Sequence, residues 1–291
     1  MSRMKNDQIT VVIPTVGEES LNQVLESLSL GSVIPGRILI CIPQDSICKN
    51  VQRLVDLYAT VEIVATKERG QVHQRLVGFL KSKSKYTLQL DSDVIVDKEL
   101  LSELIKRMEK HSDIAVGPII IDHLTNRERS YLSPNSSEFS NLELKILYRI
   151  SNGKDGFKTG MISKSGINFG LEDYSINQEV EWLPGGCVMH ETKNLILENF
   201  YPYDGKAYAE DLYHSMALVQ NGIKLVVANN AKVRIKFIKL KPKDVSYFLK
   251  EQFLYMRAML NLISLYKKNK VRFVLFRLVI LAFNFKKKML S

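Results

Sequence analysis

The feature that most constrains this 291-residue chain is an alternation of short β-branched runs with segments of helical periodicity over residues 9–121. ITVVIP at 9–14 is typical of a buried strand, and Glu19–Leu28 then places its apolar side chains on one helical face. The order repeats, with predicted strands at 37–42, 61–65, 86–90 and 114–121 and predicted helices at 51–58 and 71–82. A further helix is predicted after Asp97, which can cap it; its apolar positions are Leu100, Leu101, Leu104, Ile105 and Met108. This alternation predicts an α/β fold whose central sheet is mostly parallel and flanked by helices.

Ligands of such sheets bind beyond the carboxyl ends of the strands. Pro14-Thr15, the segment after Ile42, and Asp91–Asp93 each follow a predicted strand. We therefore expect these segments to lie at one edge of the sheet and to contribute to one site.

Asp91-Ser92-Asp93 places two carboxylates in a turn directly after a strand, where both can reach one hard cation. Mg²⁺ is commonly held by one or two carboxylates together with phosphate oxygens, and Mn²⁺ accepts a similar set. A chance surface turn is the alternative for the pair taken alone.

Glu210-Asp211 begins an amphipathic helix. Acidic residues in a first turn often only interact with the helix dipole. The functional alternative makes Asp211 a general base that removes a proton from a hydroxyl group. His214 lies one turn later on the same face and would then be near the site.

Gly185 and Gly186 follow the chain's one tryptophan, Trp182, and predict a tight turn that approaches a ligand closely. Trp182 would either stack on a sugar ring or pack in the core. After the third strand, Gly70 precedes a helix that carries Arg75, which would pair with a phosphate or a carboxylate, or lie on the helix surface.

The charge distribution is strongly asymmetric. Residues 232–291 contain 16 Lys and Arg against two acidic residues, whereas the preceding 231 residues carry 25 basic and 29 acidic side chains. Apolar and basic residues interleave from Tyr247 to the end, a pattern typical of helices that lie on anionic membrane surfaces. A helical pair packed on the rest of the protein is the alternative. We predict a main domain over 1–240 and a basic amphipathic helical tail over 241–291.

Other features indicate a cytoplasmic protein. Cys41, Cys48 and Cys187 are too few for a disulfide framework, and no apolar run reaches the ~20 residues that a membrane span needs. Residues 122–181 are less regular and are predicted to form an insertion or loops over the site. A helix is predicted near Thr192–Phe200, and the last strand at Lys224–Ala228.

Over residues 8–236 the order of several motifs resembles the glycosyltransferase family 2 enzymes of GT-A fold. The motifs that carry this resemblance are VVIPT at 11–15, GQVHQR at 70–75, LQLDSDV at 88–94, WLPGGCV at 182–188 and AYAEDLYHSMALVQNGIKL at 207–225. The Gln-x-x-Arg-Trp signature of processive synthases is absent, so transfer of a single sugar is expected.

The resemblance implies a metal-dependent, inverting transfer from a nucleotide-diphosphate sugar, with a UDP-sugar favoured and Mn²⁺ or Mg²⁺ as cofactor. Asp93 would be the main metal ligand, with Asp91 on the metal or the donor, and Asp211 the base beside Glu210. The remaining implied positions are Pro14, Thr15, Asp45, Gly70, Arg75 and Ser92 on the donor side, and Trp182, Gly185, Gly186 and His214 on the acceptor side.

The implied acceptor is a glycan or a lipid-linked glycan used in cell-surface polysaccharide synthesis at the inner face of the membrane. Two departures from the family pattern are visible. Gln44-Asp45 has one carboxylate where a pair is usual, and Val233–Lys236 occupies a stretch where many members have a histidine.

Two other classes of function remain open on the sequence. A nucleotidyltransferase would also use paired carboxylates on an α/β sheet, but Thr15–Glu19 lacks the basic, glycine-rich loop expected there. A non-catalytic protein that binds membrane or nucleic acid through its tail would leave the two acidic clusters unexplained. We expect no nucleic-acid partner.

Overall fold

A computed structural model describes residues 4–123, 132–134, 139–171, 179–204, 206–235 and 245–290. The described chain divides into two compact units. Unit 1 contains residues 4–123, 179, 183–204 and 206–235. Unit 2 contains residues 132–134, 139–171, 180–182 and 245–290.

The six predicted strands are all present, most of them longer than predicted, and the described residues form three further strands, β5, β7 and β8. The strands are β1 (Met4–Pro14), β2 (Val33–Pro43), β3 (Val61–Thr66), β4 (Tyr86–Leu90), β5 (Val94–Val96), β6 (Ile114–Asp122), β8 (Cys187–Glu191) and β9 (Lys224–Ile235), with the short β7 (Glu179–Val180) at the passage between the units. The last strand thus runs seven residues past its predicted end at Ala228, through a register shift against β6.

The sheet is ordered β3-β2-β1-β4-β8-β6-β9-β5. Strands β3, β2, β1 and β4 are parallel, as expected from strands separated by helices. Strand β8 enters antiparallel between β4 and β6, and β5 is antiparallel to β9. The fold is therefore α/β with a mixed sheet, and its parallel half carries the strand ends at which the site was predicted.

The helices of unit 1 bury one apolar face each against this sheet. They are α1 (Ser20–Ser29), α2 (Lys49–Leu57), α3 (Gln71–Lys81), α4 (Leu100–Met108) and α6 (Glu210–Gln220). In α1, the four predicted apolar positions, Leu21, Val24, Leu25 and Leu28, are all buried. The helix predicted near Thr192–Phe200 is wrong: only Thr192–Asn194 turns, as a 3-10 segment, and Leu195 is extended and packs against Phe79.

Unit 2 contains α5 (Asn141–Asn152), α7 (Val245–Leu265) and α8 (Lys270–Leu290). The Arg272 guanidinium donates to the Arg149 and Ile150 carbonyls at the end of α5, at 3.2 and 2.8 Å, where a cation also suits the helix dipole. Helix α8 of the tail is thus joined to the end of α5 within unit 2. No helix in the described part of the chain is both long and apolar enough to cross a bilayer.

Gly78 sets how closely α3 approaches the sheet. A Cβ atom there would lie 2.3 Å from Val12 Cγ1 and 2.7 Å from Cys41 Sγ, both of which are buried. Burial also raises the pKa of Cys41 to about 12, so this thiol stays neutral and acts as a packing group.

We expect Gly78→Ala to destabilise the protein by about 1–3 kcal/mol, because overpacking outweighs the better helix propensity of alanine. Urea denaturation measures the change. Val12→Ala supplies the matched control, since it makes room for the new methyl group. The double variant should be more stable than the sum of the single effects predicts. Strict additivity would contradict the close helix–sheet contact.

Candidate active site

The Asp91-Ser92-Asp93 turn joins β4 to β5 at the carboxyl end of the parallel strands. The Val94 amide donates to the Asp91 carbonyl at 3.3 Å, and the Asp91 amide donates to the Gly186 carbonyl at 2.9 Å. These backbone bonds fix the turn at both sides, and so fix where its carboxylates lie.

A buried arginine joins the two predicted acidic clusters. Arg75 on α3 donates from Nη2 to Asp91 Oδ1 and from Nη1 to Glu210 Oε2, both at 2.9 Å. Burial opposes the charge of the guanidinium, but the two carboxylates outweigh it and raise the pKa of Arg75. Arg75 and Glu210, which are 135 positions apart in sequence, are therefore held in direct contact.

The glycine turn lies against these carboxylates. A Cβ atom on Gly185 would lie 2.4 Å from Glu210 Oε1, and one on Gly186 would lie 3.4 Å from Asp91 Oδ2. The side-chain amide of Gln89 donates to the Gly185 carbonyl. The lack of side chains at the two glycines thus lets Glu210 and Asp91 lie close to the turn. The close approach of a ligand to this turn stays a prediction.

The donor-side turn after β1 is tied to the acidic turn by Glu18. Its carboxylate accepts hydrogen bonds from the Thr15 hydroxyl and, at 3.1 Å, from the Ser92 hydroxyl. The Val16 amide also donates to it at 3.3 Å. Pro14 ends β1 directly before this turn.

Two glutamines on the first turns of α3 complete the connections. Gln74 Nε2 donates to the carbonyls of Thr15 and Cys41 at 2.6 and 2.7 Å, and its Oε1 accepts from the Gly70 amide at 3.3 Å. Gln71 Nε2 donates to Asp91 Oδ1 at 2.8 Å. Gly70 has φ 137°, a conformation that glycine adopts without strain.

Asp93 lies at the exposed end of the acidic turn. Partial burial of the carboxyl group raises the pKa of Asp93, and the negative charges of Asp91 and Glu18 add to this shift. Hard oxygen donors crowded in this way suit Mg²⁺ or Mn²⁺, which need few protein ligands when phosphate and water supply the rest. Within the described residues no group of three His, Cys, Asp or Glu side chains could hold a metal ion. A cation bound at this turn would therefore need phosphate or water oxygens in addition to the carboxylates of Asp91 and Asp93.

The two acidic residues at the start of α6 differ in environment. Glu210 is buried against Arg75; burial raises the pKa of Glu210, and the arginine opposes the shift without cancelling it. Asp211 is half-buried and its Oδ1 accepts from the Leu212 amide at 3.0 Å. Asp211 is thus the more accessible carboxylate of the pair.

A family model described as glycosyl transferase family 2 matches residues 10–166, more than half of the chain. The chain belongs to glycosyl transferase family 2. The expected family and the GT-A fold are therefore confirmed, and membership of this family speaks against the nucleotidyltransferase alternative.

Solved structures resemble this glycosyltransferase in fold. A GalNAc-T7 crystal structure with UDP, GalNAc and Mn²⁺ matches at 16% identity and TM-score 0.56, over 81% of this chain and 45% of that one. Staphylococcus aureus TarS 1–349 with UDP-GlcNAc matches at 14% identity and TM-score 0.49, over 80% and 59%. The transferase thus spans about half the length of these proteins. No curated protein matches it.

Two acceptor-side expectations need correction. Trp182 is fully buried in unit 2 and its indole nitrogen donates to the Phe169 carbonyl at 2.8 Å, so it packs in the core and does not present a face to a sugar. His214 is also buried, and it stacks on Phe200 with ring centroids 5.2 Å apart. It lies behind the site instead of facing an acceptor.

Arg75 and Asp45 also have partners that the sequence left open. Arg75 is not a surface charge, because its side chain is buried between carboxylates. Asp45, at the exposed end of β2, pairs with Arg69 at 2.9 Å, and this hydrogen bond lowers the pKa of Asp45.

Sequence reasoning missed Glu18, Gln71, Gln74, Gln89 and Arg69. Gln71, Gln74 and Arg75 have the spacing of one helical face, which could have indicated a shared polar surface directed at the strand ends. Glu18 lies in the loop after β1, and nothing local in the sequence identifies Ser92 as its partner.

A pair of buried histidines lies behind Arg75. The rings of His190 and His214 are 5.3 Å apart. Burial, with a smaller effect of Arg75, lowers the pKa of His190 to about 3. Burial and the neighbouring His190 lower the pKa of His214 as well. Both imidazoles are therefore neutral in the folded enzyme.

This pair predicts acid instability. The folded-state pKa of His190 is depressed, so between about pH 6.5 and about pH 3 the unfolded chain binds more protons than the folded protein. The free energy of unfolding therefore decreases as the pH is lowered through this range. Each such proton contributes a slope of about 1.4 kcal/mol per pH unit. Urea denaturation at several pH values in this range measures the free energy of unfolding. This free energy should depend less steeply on pH in His190→Leu than in the parent protein.

The exposed His111→Leu is the matched control and should keep the parental slope. An unchanged slope in His190→Leu would contradict a neutral, buried His190.

Proposed function

We propose that this enzyme transfers one sugar, with inversion, from a nucleotide-diphosphate sugar to a hydroxyl group of a glycan or lipid-linked acceptor. The observation that carries the proposal is the Arg75 bridge. Arg75 holds Asp91, a proposed cation ligand, close to Glu210 at the start of α6. One site can then contact both the leaving group, through the Asp91–Asp93 turn, and the acceptor hydroxyl, through Asp211.

On the donor side, Asp91 and Asp93 would hold Mn²⁺ or Mg²⁺, and Asp93 would be the principal ligand. When bound, the cation would offset the negative charge of the departing diphosphate. Asp91 Oδ1 is taken by Arg75 and Gln71, which orients its other oxygen, Oδ2, towards Gly186 and fixes the carboxylate in advance. The GalNAc-T7 structure contains UDP and Mn²⁺, which supports a UDP-sugar and a divalent cation here.

The nucleotide would lie along the ends of β1 and β2. Pro14, Thr15 and Asp45 end or follow these strands, and Gly70 begins α3 beside them. Gln74 holds the carbonyls of Thr15 and Cys41, so the floor of this site does not have to reorganise on binding.

On the acceptor side, Asp211 would act as general base. It would take the proton of the acceptor hydroxyl while that oxygen forms a bond to the anomeric carbon. The bond from this carbon to the diphosphate oxygen breaks on the opposite face, and its electron pair leaves with the diphosphate. Glu210 would not take up the proton in this step, because its carboxylate accepts a hydrogen bond from the buried Arg75. Gly185 and Gly186 leave room beside both groups.

We place this reaction in cell-surface polysaccharide synthesis at the cytoplasmic face of the membrane. The support is the basic, apolar composition of residues 232–291, which suits an anionic bilayer that presents a lipid-linked acceptor.

Metal-dependent release of UDP from UDP-sugars, with water as the acceptor, tests the cation site. Asp93→Asn should lower the release rate about a hundredfold or more, because it removes a main ligand of the cation that stabilises the leaving group. Asp97→Asn is the matched control: it makes the same change four residues later, where Asp97 pairs with Arg234. Full metal-dependent release by Asp93→Asn would refute the assignment.

The base assignment has a different signature. Asp211→Asn should lower transfer about 10²–10⁴-fold. It should keep the thermal stabilisation that UDP with Mn²⁺ gives to the parent enzyme, because Asp211 is not needed to hold the donor. Loss of this stabilisation together with activity would instead indicate that Asp211 binds the donor.

A further inference from the structure

Helix α8 of unit 2 is apolar on two faces. Its inner face contributes Phe273 and Phe276, which are at most 2% exposed. Arg272 anchors the same helix to the end of α5. This inner face accounts for the packing of α8 within unit 2.

The outer face is also apolar, although it is open to solvent. Its exposed residues are Val271 (69%), Val274 (40%), Leu275 (49%), Leu278 (57%) and Leu281 (44%). The intervals of three and four residues place these side chains in one row along the helix, here called the outer stripe. With a rise of about 1.5 Å per residue, the outer stripe is about 15 Å long.

The sequence on either side of the outer stripe is basic. No Asp or Glu follows Glu251 in the sequence. Lys267, which precedes α8, and Lys270, its first residue, are exposed, and Lys286–Lys288 follow the outer stripe in sequence. Rows of aliphatic side chains bordered by cations match the interface of an anionic bilayer, where acyl chains lie beneath negative headgroups.

The neighbouring helix α7 also carries exposed apolar side chains. Arg277 donates to Gln252 and lies over the ring of Tyr255, which aligns the middle of α8 with the middle of α7. Leu249 and Phe253 of α7 are 59% and 65% exposed.

We propose that the outer stripe of α8 is the surface by which the protein docks on an anionic lipid bilayer, with α8 parallel to the membrane plane. The inference rests on the membrane location in the proposed function and names the side chains responsible. A second copy of the chain is disfavoured as occupant, since its lysines would meet those of the first. Nucleic acid would use the lysines but leave the aliphatic row unburied.

The test is sedimentation of the full-length protein with phosphatidylcholine vesicles, with and without phosphatidylglycerol. The parent protein should sediment with the anionic vesicles. Leu275→Glu/Leu278→Glu should weaken this binding by about tenfold or more, because both carboxylates would have to enter the acyl boundary. A deletion of the tail is unsuitable, since it would also remove the packing partners of α5.

Leu57→Glu/Leu80→Glu is the matched control. These leucines lie on α2 and α3 of unit 1 and are 58% and 60% exposed, so the control adds the same charge at equal exposure. It should bind vesicles within about twofold of the parent protein, because only the long-range charge changes. Both variants should release UDP at the parental rate, which verifies folding and tests the transferase separately.

Three results would overturn the proposal. Equal vesicle binding by both variants would refute the outer stripe while leaving the membrane location standing. Absence of binding by the parent protein would refute both, with the UDP-release assay still deciding the transferase. A parent dimer in solution that Leu275→Glu/Leu278→Glu dissociates would reassign the outer stripe to self-association.

Discussion

The burial of Arg75 is the constraint on which the arrangement of the site depends. A guanidinium removed from water is tolerated only where carboxylates balance it, and removing one partner of such a group typically costs about 3–5 kcal/mol. Asp91 and Glu210 supply this balance from the β4–β5 turn and from α6. Three elements that are distant in sequence are therefore obliged to meet, and the position of each acidic cluster becomes a condition of folding.

The acidic residues of the site fall into two groups: those bound to Arg75 and those that are more accessible. Glu210 and one oxygen of Asp91 are occupied by the arginine. Asp93 and Asp211 lie next to them in sequence but are more accessible. In the reaction proposed above, such fixed neighbours would reduce the reorganisation needed when a cation is bound and a proton is accepted.

Local patterns predicted most of unit 1. Strand β4 has the predicted bounds, and the buried positions of α1 follow directly from helical periodicity. The insertion of β8 between β4 and β6 was not predictable, because antiparallel pairing across a hundred residues leaves no local signal. Residues 192–200 show the same limit. Their apolar run suggests a helix, but Leu195 is extended against Phe79, so tertiary packing overrides propensity.

The site was predictable in its residue types and less so in its contacts. Asp91, Asp93 and the Glu210-Asp211 pair were identifiable as candidates because each cluster falls at the end of a predicted element, and Arg75 holds Asp91 and Glu210 together. The side chains that hold them, Gln71, Gln74 and Glu18, are ordinary polar residues whose partners are set only by the fold. Trp182 shows the converse, since an aromatic beside two glycines suggests a sugar platform but is buried.

The apolar sequence of α8 is compatible both with packing inside unit 2 and with binding to a membrane. A helix that is apolar on one side predicts packing, and one that is apolar all round predicts burial in a core or a bilayer. Helix α8 uses Phe273 and Phe276 inside unit 2 and still presents Leu275 and Leu278 to solvent. Packing and membrane binding are therefore not exclusive alternatives for this segment, because its apolar residues exceed what one buried face can use.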